Sequence, residues 1–127
     1  MTFIIRHFGL SIRLMLRQYI PARGFSPRKI GILIMAYSPI EHGSTGQRSM
    51  LEHPQLKKIA RRHQVTPAQV ALAWLLQQDV VTIPKASNPK HVRENRGALD
   101  LKLAENDLME LDLAFPPPRT KMPLEVR

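Results

Sequence analysis

The stretch that decides the fold runs from Thr66 to Asn95 and reads TPAQVALAWLLQQDVVTIPKASNPKHVREN. It opens on a capping box, because the side chains of Thr66 and Gln69 are spaced to satisfy each other's backbone amides at the start of a helix. Pro67 occupies the first helical position, where its missing amide hydrogen costs nothing. We therefore predict a helix from Pro67 to about Gln78.

A strand and a second helix follow in the same stretch. The run from Val80 to Ile83 is short and continuously apolar, which is typical of a parallel strand buried on both faces, and a proline ends it. Asn88 and the proline after it repeat the helix-start signal. We predict a helix from there through Val92 toward Gly97.

Working outward, the same criteria give a strand and two further helices. The apolar run from Ile32 to Tyr37 predicts a buried strand, and Pro54 to His63 predicts a helix whose residues Leu56, Ile59 and Ala60 face inward. A last helix is predicted from Glu105 to about Leu113. Strands that alternate with helices indicate an α/β protein with a parallel sheet, although two strands do not make a complete sheet.

The front of the chain has a different character. From Thr2 to Ile20 it is apolar but contains three arginines, whose separations of about whole helical turns predict a basic amphipathic helix. Three interpretations are open: a targeting segment, a helix that binds a membrane surface or a partner, and an accidental translation of a frame-shifted or misassigned upstream region, which we favour. Helix-breaking residues follow, so we divide the chain into 1–25, unassigned, and 26–127.

Composition limits the functional classes. The chain has 127 residues, enough for one modest domain, and no cysteine, so disulfides and cysteine nucleophiles are excluded. Its net charge is +9, but all acidic residues lie from Glu41 onward, which leaves the excess charge at the front. We expect neither a nucleic-acid partner nor a membrane span, and we take the cytoplasm as the location.

Candidate functional residues lie where the two predicted strands end. In parallel α/β barrels the functional groups gather at the C-terminal ends of strands, here Tyr37 to Pro39 and Lys85 to Asn88. The second group leads into the helix capped by Asn88, whose free amides and positive dipole end attract phosphate. From these local patterns alone, Lys85 could equally be a solvated lysine and Tyr37 a half-buried ring.

Several blocks taken together are more specific. MAYSPI at 35–40, TPAQVALAW at 66–74 and IPKASN at 83–88, followed by Glu94 and Asn95, closely resemble aldo-keto reductases in order and spacing. The resemblance runs from about Ser26 to the C-terminus. It implies a (β/α)8 TIM barrel of which this chain is a part, with strands 7 and 8, their helices and the C-terminal tail.

The resemblance also implies NADPH as cofactor, with NADH as a second option. Tyr37 matches the ring that stacks on the nicotinamide, and Lys85 matches the lysine that neutralises the 2′-phosphate of the adenosine ribose. Glu94 and Asn95 match the pair that hydrogen-bonds the adenine, and the loop that follows the pyrophosphate is matched by Ser38, Pro39 and Ile40. The complete predicted cofactor set is Tyr37, Ser38, Pro39, Ile40, Lys85, Ala86, Ser87, Asn88, His91, Glu94 and Asn95.

Three members of this set depart from the family pattern. The family commonly has hydroxyl residues at the positions of Ala86 and Asn88 and an arginine at that of His91. A neutral imidazole lacks the planar cation that would pair with phosphate. We therefore predict a reduced preference for NADPH over NADH.

The resemblance implies catalysis by a tyrosine, a lysine, an aspartate and a histidine that lie upstream of this segment, so no catalytic residue is predicted here. No metal-ligand spacing appears, and His42, His53 and His63 are expected at the solvated surface. The predicted function is that of a fragment of an NADPH-dependent reductase of aldehydes and ketones, inactive by itself, with a small carbonyl substrate in the intact enzyme. The alternatives are a non-enzymatic truncated protein whose basic N-terminal helix mediates targeting or anionic lipid or nucleic-acid binding, and complementation of a separate N-terminal fragment.

Overall fold

The computed structural model describes residues 2–6, 33–37, 39–40, 50–78 and 80–116. The strands are β1 (Thr2–Arg6), β2 (Leu33–Tyr37) and β3 (Val80–Ile83). A 3₁₀ turn spans Met50–Glu52, and the helices are α1 (Pro54–His63), α2 (Pro67–Leu76), α3 (Pro89–Gly97) and α4 (Glu105–Ala114). The α/β class predicted from the sequence is therefore confirmed in these ranges.

The described strands form one parallel sheet in the order β1, β2, β3. In the register, Tyr37 pairs with Ile83 and Ile34 with Val80, so β2 and β3 end at the same edge of the sheet. Parallel neighbours need a crossover connection, and α1 and α2 lie between β2 and β3 in the chain. This arrangement sets the ends of both strands beside each other.

Local signals explain where the helices begin. The Thr66 hydroxyl accepts from the Gln69 amide at 3.2 Å, and the Gln69 side-chain oxygen accepts from the Thr66 amide at 3.0 Å. At α1, His53 caps the helix by accepting from the backbone amide of Gln55 at 3.2 Å. The helix ends at Gln64, which adopts a left-handed conformation with φ of 56°. The capping box predicted from the sequence is confirmed.

The core lies between α1, α2 and α4. Six consecutive residues of α2, Val70 to Leu75, are buried, as expected of a helix enclosed on all sides. On α1, the buried residues are Leu56, Ile59 and Ala60, as predicted. Phe115 packs on Trp74 with ring centroids 5.9 Å apart, so this first residue of the predicted tail joins the core. Most of the tail, from residue 117, lies outside the described residues.

The helix predicted for the front of the chain is wrong over its first described residues, Thr2–Arg6. The sequence predicts a basic amphipathic helix from Thr2, whereas Thr2–Arg6 form β1, which pairs with β2 from Thr2 opposite Leu33 to Arg6 opposite Tyr37. The segment TFIIR is rich in β-branched and aromatic residues, and pairing with β2 outweighs the helical spacing of the arginines. Residues 7–20 of the predicted helix lie outside the described residues, and the division of the chain at residue 26 stays a prediction.

Part of the sheet lacks a covering partner among the described residues. Val81 and Ile83 in β3 are 37% and 42% exposed, although Val80 in the same strand is buried. Alternate residues of a strand point to opposite faces, so one face of β3 packs on helices and the other does not. Within the described part of the chain, no helix is long and apolar enough to cross a membrane.

Candidate functional site

The site is built where β2 and β3 end. Pro39, which is buried, and Ile40 follow β2, while Pro84 to Ser87 connect β3 to α3. The paired register of Tyr37 and Ile83 holds these two segments side by side. Groups that are distant in the chain are therefore brought together at one edge of the sheet, as is general for parallel α/β folds.

A cavity of about 830 Å³ opens at this edge. Nine of the eleven residues predicted for the cofactor line it. Tyr37 lies at the end of β2, but its side chain is outside the described part, as is Ser38. The nine are Pro39, Ile40, Lys85, Ala86, Ser87, Asn88, His91, Glu94 and Asn95. The structure thus assembles them around one space, and their role in binding a cofactor stays a prediction.

The first turn of α3 favours an anion. The Asn88 side chain caps the helix by accepting from the Lys90 amide at 2.8 Å, and the first turn holds no acidic residue. The remaining free amides and the positive end of the helix dipole attract negative charge. Lys85, exposed at the same cavity, adds a full positive charge, and it forms no ion pair with another described residue.

Two contacts between a basic and an acidic side chain lie in the lining of the same cavity. Nδ1 of His91 lies 3.0 Å from a carboxylate oxygen of Glu94, one helical turn away on α3. On another wall, Lys57 of α1 forms an ion pair with Glu52 of the 3₁₀ turn. Both carboxylates in the cavity are therefore engaged with a neighbouring base, which leaves Lys85 as the unneutralised cation among the described lining residues.

The sequence did not predict the rest of the cavity lining, most of which lies outside β2, α3 and the segments that follow the strands. It is formed by the 3₁₀ turn, by α1 and by the start of α2, and its residues are Leu51, Glu52, Lys57, Thr66, Pro67 and Ala68, together with Pro84 beside β3. The capping motif at Thr66 was recognisable, but only as a helix start. Nothing in the local sequence indicates that α1 and α2 begin beside the same cavity.

A second group of charged residues joins α1 to α4, and none of its members lines the cavity. The Asp107 side chain is 1% exposed and contacts His63, Arg62 and the backbone amide of Ala104. Burial raises the pKa of Asp107, but the hydrogen bonds from His63, the Ala104 amide and Arg62 outweigh it and hold this pKa below its ordinary value. The group fastens two helices.

Two histidines differ from the prediction of a solvated surface. His53 is half-buried against Phe115, with ring centroids 4.4 Å apart, because it caps α1 above the core. The His63 side chain is 23% exposed because Asp107 holds it against α4. His42 lies outside the described residues. In the ranges that the structure covers, no cluster of three or more His, Cys, Asp or Glu could hold a metal ion.

A parallel sheet with an anion-attracting cavity at its C-terminal edge is typical of α/β proteins that bind their ligands at the ends of the strands. The family model for aldo/keto reductases matches residues 25–114. The chain belongs to the aldo/keto reductase family.

Similar proteins agree with this assignment. Methylglyoxal reductase YeaE of Escherichia coli (strain K12) is 36% identical over 94 residues, which are 73% of this chain and 33% of that protein. Probable aldo-keto reductase 1 of Glycine max is 38% identical in an alignment 116 residues long, which covers 70% of this chain and 34% of that protein. The chain spans about a third of the length of these relatives.

Solved structures give the same picture. An aldo/keto reductase from Brucella melitensis superposes with a TM-score of 0.67 at 27% identity, over 87% of this chain and 37% of that chain. A variant of Gox0644 in complex with NADPH superposes with a TM-score of 0.65 at 27% identity, over 89% of this chain and 37% of that chain. The described sheet and helices therefore superpose on the fold of aldo-keto reductase structures.

Proposed function

We propose that this chain provides the nucleotide-binding end of an NADPH-dependent aldo-keto reductase, with β2 and β3 as strands 7 and 8 of the (β/α)8 barrel. The observation that carries the proposal is the cavity at the ends of these strands, lined by Lys85 and by the first turns of α3. A cation, a helix N-terminus and polar side chains around one space are what a phosphorylated nucleoside requires.

Each part of the cofactor has a partner in this proposal. Lys85 neutralises the 2′-phosphate of the adenosine ribose, and Glu94 and Asn95 bind the adenine edge. The segment from Ser38 to Ile40 follows the pyrophosphate, and Tyr37 stacks on the nicotinamide. When bound, NADPH supplies the hydride for reduction of an aldehyde or ketone.

The capping contact of Asn88 bears on how firmly a 2′-phosphate is held. The amide oxygen of Asn88 accepts from the Lys90 backbone amide at 2.8 Å, and its NH₂ group is left to donate to phosphate. Ala86 offers no side-chain donor at all. Ala86 therefore gives the phosphate site one donor fewer than a hydroxyl residue would, and NADH is a second cofactor in this proposal.

No residue of this chain is assigned to proton transfer. The aspartate and histidine with a strong mutual contact, Asp107 and His63, join α1 to α4 and do not line the cavity. In this proposal the carbonyl substrate binds to another part of an aldo-keto reductase barrel, and that part also provides the proton donor. Mixing this chain with a separately produced N-terminal portion of a relative should restore NADPH oxidation, and a mixture that stays inactive would oppose this part of the proposal.

Nucleotide binding to the full chain tests the site directly. Isothermal titration calorimetry should give a lower Kd for adenosine 2′,5′-bisphosphate than for 5′-AMP. Lys85→Met should raise the Kd for the bisphosphate about tenfold, because one charge-assisted contact is lost. Lys102→Met removes the same charge from an exposed site that does not line the cavity and is the matched control. Equal losses in both variants, or no binding of either nucleotide, would contradict the proposed site.

Cellular location is proposed to be the cytoplasm. Imaging the full chain fused to a fluorescent protein tests this, and accumulation in an organelle would contradict it.

A further inference from the structure

A side of α3 other than the one that lines the cavity carries exposed apolar and basic side chains. Val92 and Leu99 are 54% and 59% exposed. They are seven residues apart, about two helical turns, and helical bonding continues as far as Leu99, whose amide donates to the Arg96 carbonyl at 3.1 Å. Arg96 lies between them, and Arg93, one turn before Arg96, is exposed and forms no ion pair with another described residue. We call Val92, Arg93, Arg96 and Leu99 the basic stripe.

An apolar recess adjoins Leu99. It has a volume of about 420 Å³ and is lined by side chains of α2, β3 and α3, among them Leu72, Leu76 and Val81. Val81 is one of the exposed residues of β3, so the recess is open to solvent on that side. A recess bordered by such side chains can receive one large apolar side chain from another molecule, as the anchor pockets of protein interfaces do.

Helix α4 carries the complementary pattern. Met109 and Leu113 are 56% and 80% exposed and are four residues apart, which makes them neighbours on one face of the helix. Glu105 precedes Met109 by four residues on the same face, is exposed, and has no ion pair within the described ranges. The sequence of α4, ENDLMELDLA, contains four acidic residues and no basic one. We call Glu105, Met109 and Leu113 the acidic stripe.

The two stripes do not cover each other within one chain, because every apolar member of either stripe is more than half exposed. We propose that the acidic stripe of one copy docks on the basic stripe of a second copy. In this contact Leu113 enters the recess beside Leu99, and Glu105 pairs with Arg93. The distances agree, since Leu113 lies about 12 Å from Glu105 along α4 and Leu99 lies about 9 Å from Arg93 along α3, a difference that the long arginine side chain spans.

Charge favours α4 as the surface that approaches the basic stripe. The chain has a net charge of +9, so two copies repel each other unless a locally acidic surface meets a basic one. Burial of the apolar members provides the attraction, and the pairing of Glu105 with Arg93 sets the direction of the two helices. A large apolar side chain on one surface and a recess on another are the elements of a head-to-tail contact, in which each copy uses a different surface.

The inference goes beyond the proposed function and does not depend on it. None of the residues of the two stripes lines the nucleotide cavity. On α3, the cavity is lined from His91, Glu94 and Asn95, which leaves the cavity open when the basic stripe is covered. Calorimetric binding of adenosine 2′,5′-bisphosphate therefore reports on the nucleotide site whether or not the copies associate.

Sedimentation velocity of the full chain tests the contact with two variants. Over a roughly hundredfold rise in concentration, the mean sedimentation coefficient of the natural chain should increase by mass action. Leu113→Lys and Leu99→Lys should each stay monomeric, because one places a cation on the acidic stripe and the other blocks the recess. Each variant keeps the other stripe intact. An equimolar mixture of the two should therefore form a one-to-one dimer and nothing larger, which nonspecific aggregation would not do.

A charge exchange tests the orientation. Arg93→Glu should weaken self-association about threefold to tenfold, since it replaces an ion pair with a repulsion, and adding Glu105→Arg to it should restore the association. Arg61→Glu makes the same change of charge at an exposed position of α1 outside both stripes and should not weaken the association. A natural chain that stays monomeric over the whole range would overturn the inference. So would self-association of either lysine variant alone, or a mixture of the two that does not dimerise.

Discussion

Nε2 of His63 and Oδ2 of Asp107 lie 2.6 Å apart, although the two residues belong to different helices and are 44 positions apart in the chain. Asp107 also accepts from the backbone amide of Ala104 at 3.0 Å, and Arg62 contacts its other oxygen. One buried carboxylate therefore caps the start of α4 and fastens α4 to the end of α1. A buried charge is tolerated only with such partners, because its desolvation is costly.

Acid should weaken the contacts by which the Asp107 carboxylate joins α4 to α1. The hydrogen bonds to Asp107 hold its pKa below its ordinary value, so the unfolded chain takes up the proton first as pH falls. The contribution is therefore complete well above about pH 4, the ordinary value for aspartate, and is lost as pH falls below it through the lowered folded pKa. Urea unfolding at a series of pH values should show this loss on the acid side.

The matched pair for this measurement is Asp107→Asn and Glu105→Gln. Asp107→Asn should lower the free energy of unfolding at pH 7 by about 2 to 3 kcal/mol and should flatten the acid limb, because the buried contacts to His63 and Arg62 are weakened. Glu105→Gln removes a carboxylate from the exposed first turn of the same helix and should change stability by less than about 1 kcal/mol. Equal effects of both would show that the helix dipole alone is responsible.

Helix starts could be read from the sequence because each is a local event. Thr66 with Gln69, and Asn88 with the amide of Lys90, act over two or three residues, and the structure contains both contacts. The strand at Thr2–Arg6 could not be read in this way. Its hydrogen-bonding partner is β2, some thirty residues further on, and only that pairing selects a strand over a helix.

The candidate site likewise has one part that the sequence could predict and one part that depends on packing between distant elements. The segments after Tyr37 and Ile83 could be predicted to meet, because parallel strands end at a common edge. The wall that contains Glu52 and Lys57 depends on how α1 packs against the strand ends, and no motif encodes it. In the same way, the partnership of His63 with the fourth helix follows from packing and not from spacing.

Gly97 lies in the last turn of α3, in close approach to Gln69 of α2. A Cβ at position 97 would lie 2.6 Å from Nε2 of Gln69, and the capping box holds the oxygen of the same amide group. Gly97→Ala should therefore destabilise the chain by about 1 kcal/mol, despite the better helix propensity of alanine. In the Gln69→Ala background the same substitution should stabilise by up to about 1 kcal/mol. The sign reversal is measured by a double-mutant cycle of urea unfolding, and effects of the same sign in both backgrounds would contradict it.

Ala104 occupies the N-cap of α4 with φ of −72° and ψ of 162°, the backbone of an ordinary cap, but has no side-chain acceptor. Ala104→Ser should supply one and raise the free energy of unfolding by about 0.5 to 1 kcal/mol. Asn106→Ser, an exposed change inside the first turn, provides no cap and should give no gain. Thermal unfolding by circular dichroism compares the two, and a gain from Asn106→Ser alone would oppose the capping argument.

Gln77 holds the segment before α4 through a pair of hydrogen bonds. Its side-chain oxygen accepts from the Leu103 amide at 2.8 Å, and its side-chain nitrogen donates to the Leu103 carbonyl at 3.2 Å. Gln77→Ala should therefore lower the free energy of unfolding by about 1 to 2 kcal/mol, since both backbone groups of Leu103 lose a partner while Leu103 itself is buried. Gln77→Glu keeps the acceptor but sets a carboxylate oxygen against the Leu103 carbonyl, so it should not restore the stability of the natural chain. Gln78→Ala is the control, because Gln78 donates one hydrogen bond back to a carbonyl of the preceding helix, that of Trp74 at 2.8 Å. Hydrogen exchange of the Leu103 amide gives the local measure, and it should accelerate in Gln77→Ala but not in Gln78→Ala. Unchanged protection in both variants would mean that the pairing does not hold this segment.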